Sequence, residues 1–440
     1  MQRKFTYYTR VFGCQMNVAD IDDLCARLAA HGGIVVETVD EAQLVLINTC
    51  TVRQKAEDKA LSFFGSLKRL KSAAGGRNAP FVVAMGCVIP RARAHIEATF
   101  PYIDLLLDSS DPGVVFDALL ERFPPLNGDV ACQEYPPLLA AEHARQNFVT
   151  AIRGCDHKCS YCIVPYVRGK QRDVPLPQIV EEAQAWQRAG APDITVLGQN
   201  ILAYGQSSGS EHPRFCELME TLLKQTAFPW ITYLTSLPGD LTEEVCERVI
   251  AHPRITPLLH LPVQSGSDKV LQDMQRGYDA AYYRRIVAKA RAVRPDLYLT
   301  TDLLVGFPTE TDEDYAATLA LVNEIGFDDA FMFAYSPRPG THAALNFAES
   351  LSLKEKRARL NDLISRQRQI AASRNERYLG QELEVIVEQQ SKTGAVTRTA
   401  FNKPVYLQEL KTPIGRYTRV RITGVKTSSF SGEEVQATGP

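Results

Sequence analysis

The chain has 440 residues, more than a single hydrophobic core usually accommodates, so we expect two or three domains. Hydrophobic residues make up 45% and charged residues 23% of it, which is typical of a globular protein and excludes a disordered or fibrous chain. The formal net charge of -2 excludes a uniformly basic protein, and the sequence has neither a secretory-signal pattern nor an apolar run of membrane-spanning length, so we predict a cytoplasmic protein without membrane contact.

The N-terminal quarter alternates strand-like and helix-like patterns, which predicts a parallel α/β domain over residues 1–123. The run YYTRVFGC leads into a helical pattern over Asp20–His31. LVLINTC is followed by a helical pattern from about Gln54, and FVVAMGC by another. A Pro-rich stretch without periodicity at 124–147 then predicts a linker.

Residues 148–378 hold six strand-like runs, each followed by a helical pattern: FVTAIRGC, ITVLGQN, ITYLTS, LLHLPVQSG, LYLTTDLLVGF and DAFMFAY. Six βα units in series predict a partial, TIM-like (β/α)6 barrel with its site where the strands end. An open doubly wound sheet would show almost the same pattern. A capping box at Ser352–Glu355 predicts a long basic helix through about Tyr378.

A compact loop after the first barrel strand, RGCDHKCSYCIVPYVRG, contains Cys155, Cys159 and Cys162. Compact cysteine loops deliver several thiolates to one iron–sulfur cluster, and three thiolates leave one iron open to a small molecule. Structural zinc is the main alternative, but it usually takes two separated ligand pairs, and no second pair follows here. His157 lies inside the loop, where we expect it to face solvent and not to bind metal.

Three further cysteines, Cys14, Cys50 and Cys87, each end a predicted strand of the first domain. Strands of a parallel sheet end at the same edge, so the three can converge and hold a second cluster with an open iron. The alternative is three unrelated buried cysteines. We expect core or incidental roles for the cysteines that lack this pattern: Cys25, Cys132, Cys216 and Cys246.

Polar residues at the ends of the predicted barrel strands are candidates for binding the cofactor or the substrate base. They are Gln199, Asn200, Ser236, Gln264, Ser265, Ser267 and Asp302. Turn-forming and helix-capping roles compete for the serines and Asn200. Arg168, just after the cysteine loop, is a candidate for contacting a phosphate or carboxylate, with a surface ion pair as the alternative.

The C-terminal segment, 379–440, consists of short β-like runs and predicts a small all-β barrel. Residues 352–440 carry 16 Lys/Arg against 9 Asp/Glu, which favours a polyanionic partner over a merely solvated basic helix. Within the barrel, basic and aromatic residues interleave in a way that suits RNA: Arg398, Lys403, Arg416, Arg419, Arg421, Lys426, Phe401, Tyr406, Tyr417 and Phe430.

These motifs resemble the methylthiotransferase family of the radical SAM superfamily over almost the whole chain. FGCQMNVAD, NTCTVRQKAE and the Gly86–Cys87 pair are similar to its N-terminal domain, and RGCDHKCSYCIVPYVRG, LGQN, LHLPVQSGSDKVL, TTDLLVGFP and YSPRPGT continue the match. The last sixty or so residues resemble the TRAM domain, an RNA-binding β-barrel. Gln15–Asn17 match the branch that converts N6-isopentenyladenosine in tRNA to its 2-methylthio derivative.

The resemblance implies two 4Fe-4S clusters, each with three Cys ligands and one open iron, together with S-adenosylmethionine, tRNA and an electron donor of flavodoxin or ferredoxin type. One S-adenosylmethionine would methylate sulfur carried at Cys14, Cys50 and Cys87, and another, at the second cysteine set, would generate the radical that removes hydrogen from C2 of the adenine. Because that C–H bond is too inert for an acid or base, we predict no general acid–base residue.

The chain departs from the usual pattern of this branch in three places: Leu237 replaces a histidine, Thr309 replaces a glycine, and the segment QNIL lacks the second asparagine often seen after LGQN. Two alternatives therefore remain for the function. One is the same enzyme class acting on threonylcarbamoyladenosine of tRNA or on an aspartate of a ribosomal protein, which the Gln15–Asn17 segment disfavours. The other is a non-catalytic iron–sulfur protein that binds RNA.

Overall fold

A computed structural model describes residues 4–52, 54–73, 79–109, 111–126, 147–208, 214–391 and 393–435. Most of the predicted linker at 124–147, and Cys132 within it, lie outside these ranges. The described residues form two compact units. The first consists of those in Met1–Ala144, Arg153–Asp156 and Ile163–Arg172, and the second of the remainder.

The first unit is built on a five-stranded sheet in the order β2-β1-β3-β4-β5, with all neighbours parallel. Its strands are β1 Phe5–Val11, β2 Gly33–Val35, β3 Leu44–Thr49, β4 Phe81–Gly86 and β5 Leu105–Leu107. Its helices are α1 Gln15–Ala30, α2 Gln54–Ala73, α3 Ile89–Thr99 and α4 Pro112–Arg122. The predicted parallel α/β architecture is confirmed.

Both faces of this sheet are covered, as its buried central strands β3 and β4 require. Leu24 and Leu119, from α1 and α4, pack on one face, and Phe64 and Ile96, from α2 and α3, pack on the other. Helix α1 begins at Gln15, earlier than the predicted Asp20, so Cys14 stands at its N-terminal cap. The helical start was missed because the residues before Asp20 show little apolar periodicity.

The segment that follows the undescribed stretch contributes β6 Phe148–Thr150, β7 Ile152–Arg153, α5 Val164–Arg168 and β8 Arg172–Asp173. Strand β6 begins the parallel series of the second unit, which continues with β9 Asp193–Leu197, β10 Trp230–Leu234, β11 Leu258–His260, β12 Tyr298–Val305 and β13 Asp329–Ala334. These strands form the sheets β10-β9-β6 and β11-β12-β13, linked by a parallel bridge between Ile231 and Ile255. Six parallel strands in chain order confirm the predicted partial barrel.

Helices follow the barrel strands and bury the core of the second unit. They are α6 Leu176–Arg188, α7 Phe215–Gln225, α8 Glu243–Val245 with the adjoining π-helix Cys246–Ile250, α9 Asp268–Asp273, α10 Ala280–Val293, α11 Asp312–Ile325 and α12 His342–Asn346. The long helix α13, Leu353–Asn375, opens with the predicted capping box of Ser352 and Glu355. No helix within the described ranges has the length and apolarity to cross a bilayer.

The chain ends in a closed five-stranded barrel of order β14-β15-β16-β18-β17, which confirms the all-β prediction. Its strands are β14 Glu382–Ser391, β15 Gly394–Thr399, β16 Pro404–Leu407, β17 Tyr417–Val425 and β18 Phe430–Glu434. Val385, Val405, Val420 and Ile422 are buried inside it.

Several side chains expected to contact RNA instead attach this barrel to the rest of the second unit. Arg398 pairs with buried Asp193 at 2.8 Å, and Lys403 Nζ donates to the Tyr298 hydroxyl at 2.7 Å. The Phe401 ring stacks on Tyr298 with centroids 4.6 Å apart. The expectation was wrong for these buried residues because alternation in sequence cannot distinguish an outward face from a docking face. Arg416, Arg419, Arg421, Lys426 and Tyr406 are exposed.

Candidate iron–sulfur and cofactor site

The first cysteine set lies at the carboxyl edge of the five-stranded sheet. Cys50 and Cys87 directly follow β3 and β4, whose last residues, Thr49 and Gly86, are register partners. The backbone N–H of Cys87 donates to the Thr49 carbonyl at 3.0 Å. Cys14 follows β1, and β1 and β3 are the neighbours at which the strand order reverses, the usual ligand site of an open α/β sheet.

Gly86 lets β4 end tightly against β3. Its φ is +99°, and a Cβ atom there would lie 2.5 Å from both the Thr49 carbonyl oxygen and Asn48 Oδ1. Only glycine adopts this conformation without strain and fits this space. The Gly–Cys pair noted in the sequence therefore has a steric role in seating Cys87 beside the residue that precedes Cys50.

Asn17, on the first turn of α1, joins the ends of β1 and β3. Its Nδ2 donates to Asn48 Oδ1 at 2.7 Å and to the Thr49 carbonyl at 3.0 Å, and its Oδ1 accepts from Cys14 Sγ at 3.3 Å. The side chain is fully buried. Asn17 was noted only as part of a motif, and its contacts show that it holds the Cys14 turn against the strand that leads to Cys50.

Arg168 lies beside this same cysteine set. Its Nη2 donates at 2.9 Å to Asn17 Oδ1, the atom that also accepts from Cys14 Sγ. Burial raises the pKa of the Cys87 thiol, and the Arg168 charge opposes that rise. A cavity of about 270 Å³ in the first unit is lined by Cys87, Arg153 and Arg168, so there is open space next to the thiol.

Within the cysteine loop, Cys155 belongs to the first unit, where its N–H donates to the Gly169 carbonyl at 3.2 Å. Gly154 precedes it with a φ of +76°, and a Cβ there would lie 2.2 Å from the Lys170 carbonyl oxygen. As at Gly86, a glycine is required immediately before a cysteine because the backbone passes too close for any side chain.

Cys159 and Cys162 belong to the second unit, where Ser160 anchors the turn between them. Ser160 N–H donates to the Met274 carbonyl at 3.0 Å, and its hydroxyl donates to the Asp273 carbonyl at 2.7 Å. Both acceptors lie at the end of α9. The chain between the two cysteines is therefore held by a helix end far away in sequence.

His157 was expected to face solvent, and this is wrong in part. Its Nε2 lies 3.0 Å from Asp240 Oδ2, which also accepts from Asn200 Nδ2 at 2.5 Å, and its side chain is 31% exposed. The loop residue is thus tied to the ends of β9 and β10. Asn200 Oδ1 accepts from Leu237 N–H at 2.9 Å, so the contacts of Asn200 support the competing turn role. Its part in cofactor binding stays a prediction.

Arg276 is a candidate functional residue that the sequence did not single out. Its side chain is buried, and its Nη1 donates to Cys159 Sγ at 3.2 Å, while Nη2 donates to the Pro262 carbonyl at 2.9 Å and Nε to the Tyr278 hydroxyl at 3.1 Å. Among the residues that the structure describes, no carboxylate forms an ion pair with it. A buried cation without an anion is costly, so this guanidinium suits an anionic ligand. Its position, after α9, gave no motif signal.

Two predicted rim residues have buried polar atoms that the protein leaves unused. Gln199 Oε1, after β9, and Ser236 Oγ, after β10, have no hydrogen-bond partner among the described residues. Buried polar atoms are rarely left unpaired in native proteins, so each such atom needs an explanation. Both fit a polar ligand at the carboxyl ends of the barrel strands.

The remaining rim candidates differ in their surroundings. Gln264, after β11, has a φ of +72°, a strained value for a side-chain-bearing residue and one that is found preferentially at functional sites. Asp302 lies on β12, with Oδ1 3.7 Å from His260 Nε2. Ser265 is fully buried, and its hydroxyl hydrogen-bonds Thr318 of α11 at 3.1 Å, which supports the packing role. Ser267 caps α9.

The donor chemistry at both cysteine sets fits iron–sulfur clusters, which are bound by thiolates and tuned by hydrogen bonds to sulfur. Each set lies beside an arginine: Arg168 lines one cavity with Cys87, and Arg276 donates to Cys159 Sγ. In the part of the chain that the structure describes, no three His, Cys, Asp or Glu side chains are grouped tightly enough to bind a single metal ion.

Three family models match the chain in succession. Residues 6–108 match uncharacterized protein family UPF0004, residues 149–322 match the radical SAM superfamily, and residues 376–435 match the TRAM domain. Among solved structures, the radical S-adenosylmethionine methyltransferase TsrM from Kitasatospora setae matches with a TM-score of 0.57 at 12% identity, covering 78% of this chain and 74% of that one. The cobalamin-dependent radical enzyme OxsB matches with a TM-score of 0.54 at 12% identity, covering 83% and 56%. These two share the fold.

Sequence relatives are far more similar. A protein of Anaeromyxobacter dehalogenans is 37% identical over 97% of this chain and 93% of its own length, and one of Thermus thermophilus is 36% identical over 98% and 91%. Both are named tRNA-2-methylthio-N(6)-dimethylallyladenosine synthase. At this identity and coverage, the chain belongs to the tRNA-2-methylthio-N(6)-dimethylallyladenosine synthase family of radical SAM enzymes.

Proposed function

We propose that this enzyme inserts a methylthio group at C2 of N6-isopentenyladenosine, the dimethylallyl nucleoside, next to the anticodon of tRNA. The observation that carries the proposal is the first cysteine set, which follows β1, β3 and β4 at the reversal of strand order. A sulfur-bearing centre there accounts for three cysteines at equivalent strand ends, and the relatives' printed name supplies the tRNA nucleoside.

We assign Cys14, Cys50 and Cys87 to one 4Fe-4S cluster and Cys155, Cys159 and Cys162 to another, each with an open iron. When bound, these groups supply transferable sulfur at the first set and reductive cleavage of S-adenosylmethionine at the second. The electrons would come from a donor of flavodoxin or ferredoxin type, and because the substrate is tRNA we place the reaction in the cytoplasm.

Arg276 is the residue we assign to the carboxylate of S-adenosylmethionine. Its partners are a thiol, two phenols and a carbonyl, so a carboxylate would supply the anion that the buried guanidinium lacks. Gln199 Oε1 and Ser236 Oγ are available for the polar groups of the same cofactor. The strained Gln264, together with Asp302 and Asn200, completes the set of proposed contacts, whereas Ser265 is engaged in packing.

Nucleoside mass spectrometry of tRNA from a strain lacking the gene tests the substrate. We expect the 2-methylthio derivative of isopentenyladenosine to be absent, its precursor to accumulate, and both to be restored by the wild-type gene. Unchanged levels would contradict the proposal. Loss of the methylthio derivative of threonylcarbamoyladenosine would favour the alternative tRNA substrate. Loss of the methylthio group from a ribosomal-protein aspartate would favour the protein substrate.

Iron and sulfide analysis after anaerobic reconstitution tests the cofactor assignment. We expect about eight irons per chain in the wild type and about four when Cys14, Cys50 and Cys87 are all replaced by alanine. A Cys25→Ala variant is the matched control, since Cys25 lies on α1 of the same unit but outside the cysteine set, and it should retain about eight. About four irons in the wild type would exclude a second cluster.

A further inference from the structure

A buried ion network stands behind the first cysteine set. Asp20, on α1, is fully buried, and its two carboxylate oxygens face different arginines: Oδ1 lies 2.5 Å from Arg153 Nη1, and Oδ2 lies 3.5 Å from Arg168 Nη1. The Arg168 side chain is only 9% exposed. Arg153 has a second carboxylate, Asp111 Oδ2, 3.9 Å from its Nε. Arg168 lies farther from Asp20 than Arg153 does, so its positive charge is the less neutralised of the two, and burial keeps solvent from screening it.

The positively charged side chain of Arg168 lies beside the first cysteine set. Its side chain lines the same cavity as Cys87. Through Asn17 Oδ1, which accepts from both Arg168 Nη2 at 2.9 Å and Cys14 Sγ at 3.3 Å, it also reaches the turn that holds Cys14. Arg168 is therefore the guanidinium of this network that contacts Asn17 and, through it, the turn of Cys14.

We propose that Arg168 is a positioning residue that raises the reduction potential of the cluster held by Cys14, Cys50 and Cys87, and that Asp20 limits this effect. The inference rests on the proposed function, which assigns a cluster to these cysteines. Reducing a cluster adds one negative charge, so a buried cation beside the ligand cysteines stabilises the reduced state more than the oxidised one. The Asp20 carboxylate acts in the opposite direction.

A merely structural role predicts something different. If the network only held α1 and α5 in place, then breaking it from either side would loosen the site in the same way. An electrostatic role requires Arg168 and Asp20 to have effects of opposite sign, because one supplies the positive charge and the other neutralises it. The sign of the two shifts therefore separates the two roles.

The test is a redox titration of the full-length, anaerobically reconstituted protein, followed by electron paramagnetic resonance. The Cys14, Cys50 and Cys87 triple-alanine variant identifies the signal of the other cluster, which serves as an internal reference. We expect Arg168→Gln to lower the potential of the first cluster, Asp20→Asn to raise it, and Arg168→Lys to stay closer to the wild type than Arg168→Gln. Arg27→Gln, which removes a partly exposed arginine that pairs with Asp23 on α1, should leave it unchanged.

Iron content is measured in parallel so that the outcomes can be told apart. With about eight irons retained, no shift in Arg168→Gln, or shifts of the same sign in Arg168→Gln and Asp20→Asn, overturns the inference and leaves the proposed function intact. If the Arg168→Gln variant fails to bind the first cluster, the reduction potential of that cluster in Asp20→Asn is the test. An upward shift there supports the inference, and the absence of that shift overturns it. About four irons in the wild type overturns both.

Discussion

Arg276 is enclosed by uncharged groups of the second unit and by the Cys159 thiol. If it binds the carboxylate of S-adenosylmethionine, Arg276→Gln should weaken the binding of that cofactor by about 10- to 100-fold, since a hydrogen bond to a charged group is worth about 1.5–3 kcal/mol. Equilibrium dialysis on the reconstituted protein measures this. Arg285→Gln is the control, because Arg285 lies over the Tyr282 ring and contacts neither cysteine set. Unchanged affinity at full iron content would contradict the assignment.

Asp22, two residues after Asp20, provides a test of pH dependence. Desolvation raises the pKa of its carboxyl from 3.8 to about 6. Between pH 4 and pH 6 the folded state therefore keeps a proton that the unfolded state releases. The ionised Asp22 destabilises the folded state most above pH 6, and this destabilisation disappears as the pH falls towards 4. Asp22→Asn should raise the free energy of unfolding by about 1–2 kcal/mol at pH 7.

Urea unfolding of the Asp22→Asn variant between pH 4.5 and pH 7.5 measures this difference. Asp23→Asn is the matched control, because Asp23 makes a partly exposed ion pair with Arg27 at 2.8 Å on the same helix. Such pairs contribute little to stability, so the control should not gain stability at pH 7. A gain in Asp22→Asn that stays constant with pH would show that desolvation of the carboxylate is not its cause.

At the scale of secondary structure elements, the end of β4 depends on Gly86. Gly86→Ala would place a Cβ 2.5 Å from the Thr49 carbonyl oxygen at a φ of +99°, so the strand end must shift and Cys87 with it. We expect iron content to fall from about eight towards about four per chain, with the second cluster retained.

The matched control for this strand end is Gly190→Ala. Gly190 also has a positive φ, +85°, but nothing lies within 4 Å of a Cβ placed there. Gly190→Ala should therefore lower the free energy of unfolding only by the strain of a left-handed residue, about 1 kcal/mol, and should not change the iron content. Full iron content in Gly86→Ala would mean that the Cys87 turn tolerates displacement.

The elements show how far local patterns reach. The apolar runs of β3 and β4 predicted these strands because nearly every residue in them is buried. The start of α1 was misplaced because its first turn is defined by contacts of Asn17 with β3, which no local pattern reveals. The π-helical turn Cys246–Ile250 was likewise beyond a periodicity argument.

At the scale of the whole molecule, the C-terminal barrel is integrated into the second unit and is not an appended module. The Arg398–Asp193 pair is buried on both sides, and Arg398 also contacts Glu388 at 2.6 Å. Removing one partner of a buried pair leaves an uncompensated charge, so Arg398→Ala should lower the free energy of unfolding by about 3–5 kcal/mol.

Chemical denaturation measures the effect of Arg398→Ala against Arg421→Ala. Arg421 pairs with Glu382 on the exposed side of the same barrel, with 59% of its side chain accessible, and its loss should cost about 0–1 kcal/mol. Equal destabilisation by the two variants would show that the Asp193 contact does not stabilise the attachment. Because Arg421 remains exposed, Arg421→Ala is also the variant expected to weaken tRNA binding.

The sequence by itself determined the fold class and the order of elements, and it predicted both cysteine sets, because apolar periodicity and residues at strand ends are local properties of the chain. Only the tertiary structure decided which charges lie beside those cysteines. Arg168 and Arg276 carried weak signals or none, because their significance comes from burial and from partners such as Asp20 and Cys159 that are distant in sequence. The same reason explains why Arg398 and Lys403 were wrongly expected to contact RNA. The sequence does not distinguish a basic residue that faces solvent from one that packing directs towards a buried carboxylate or phenol.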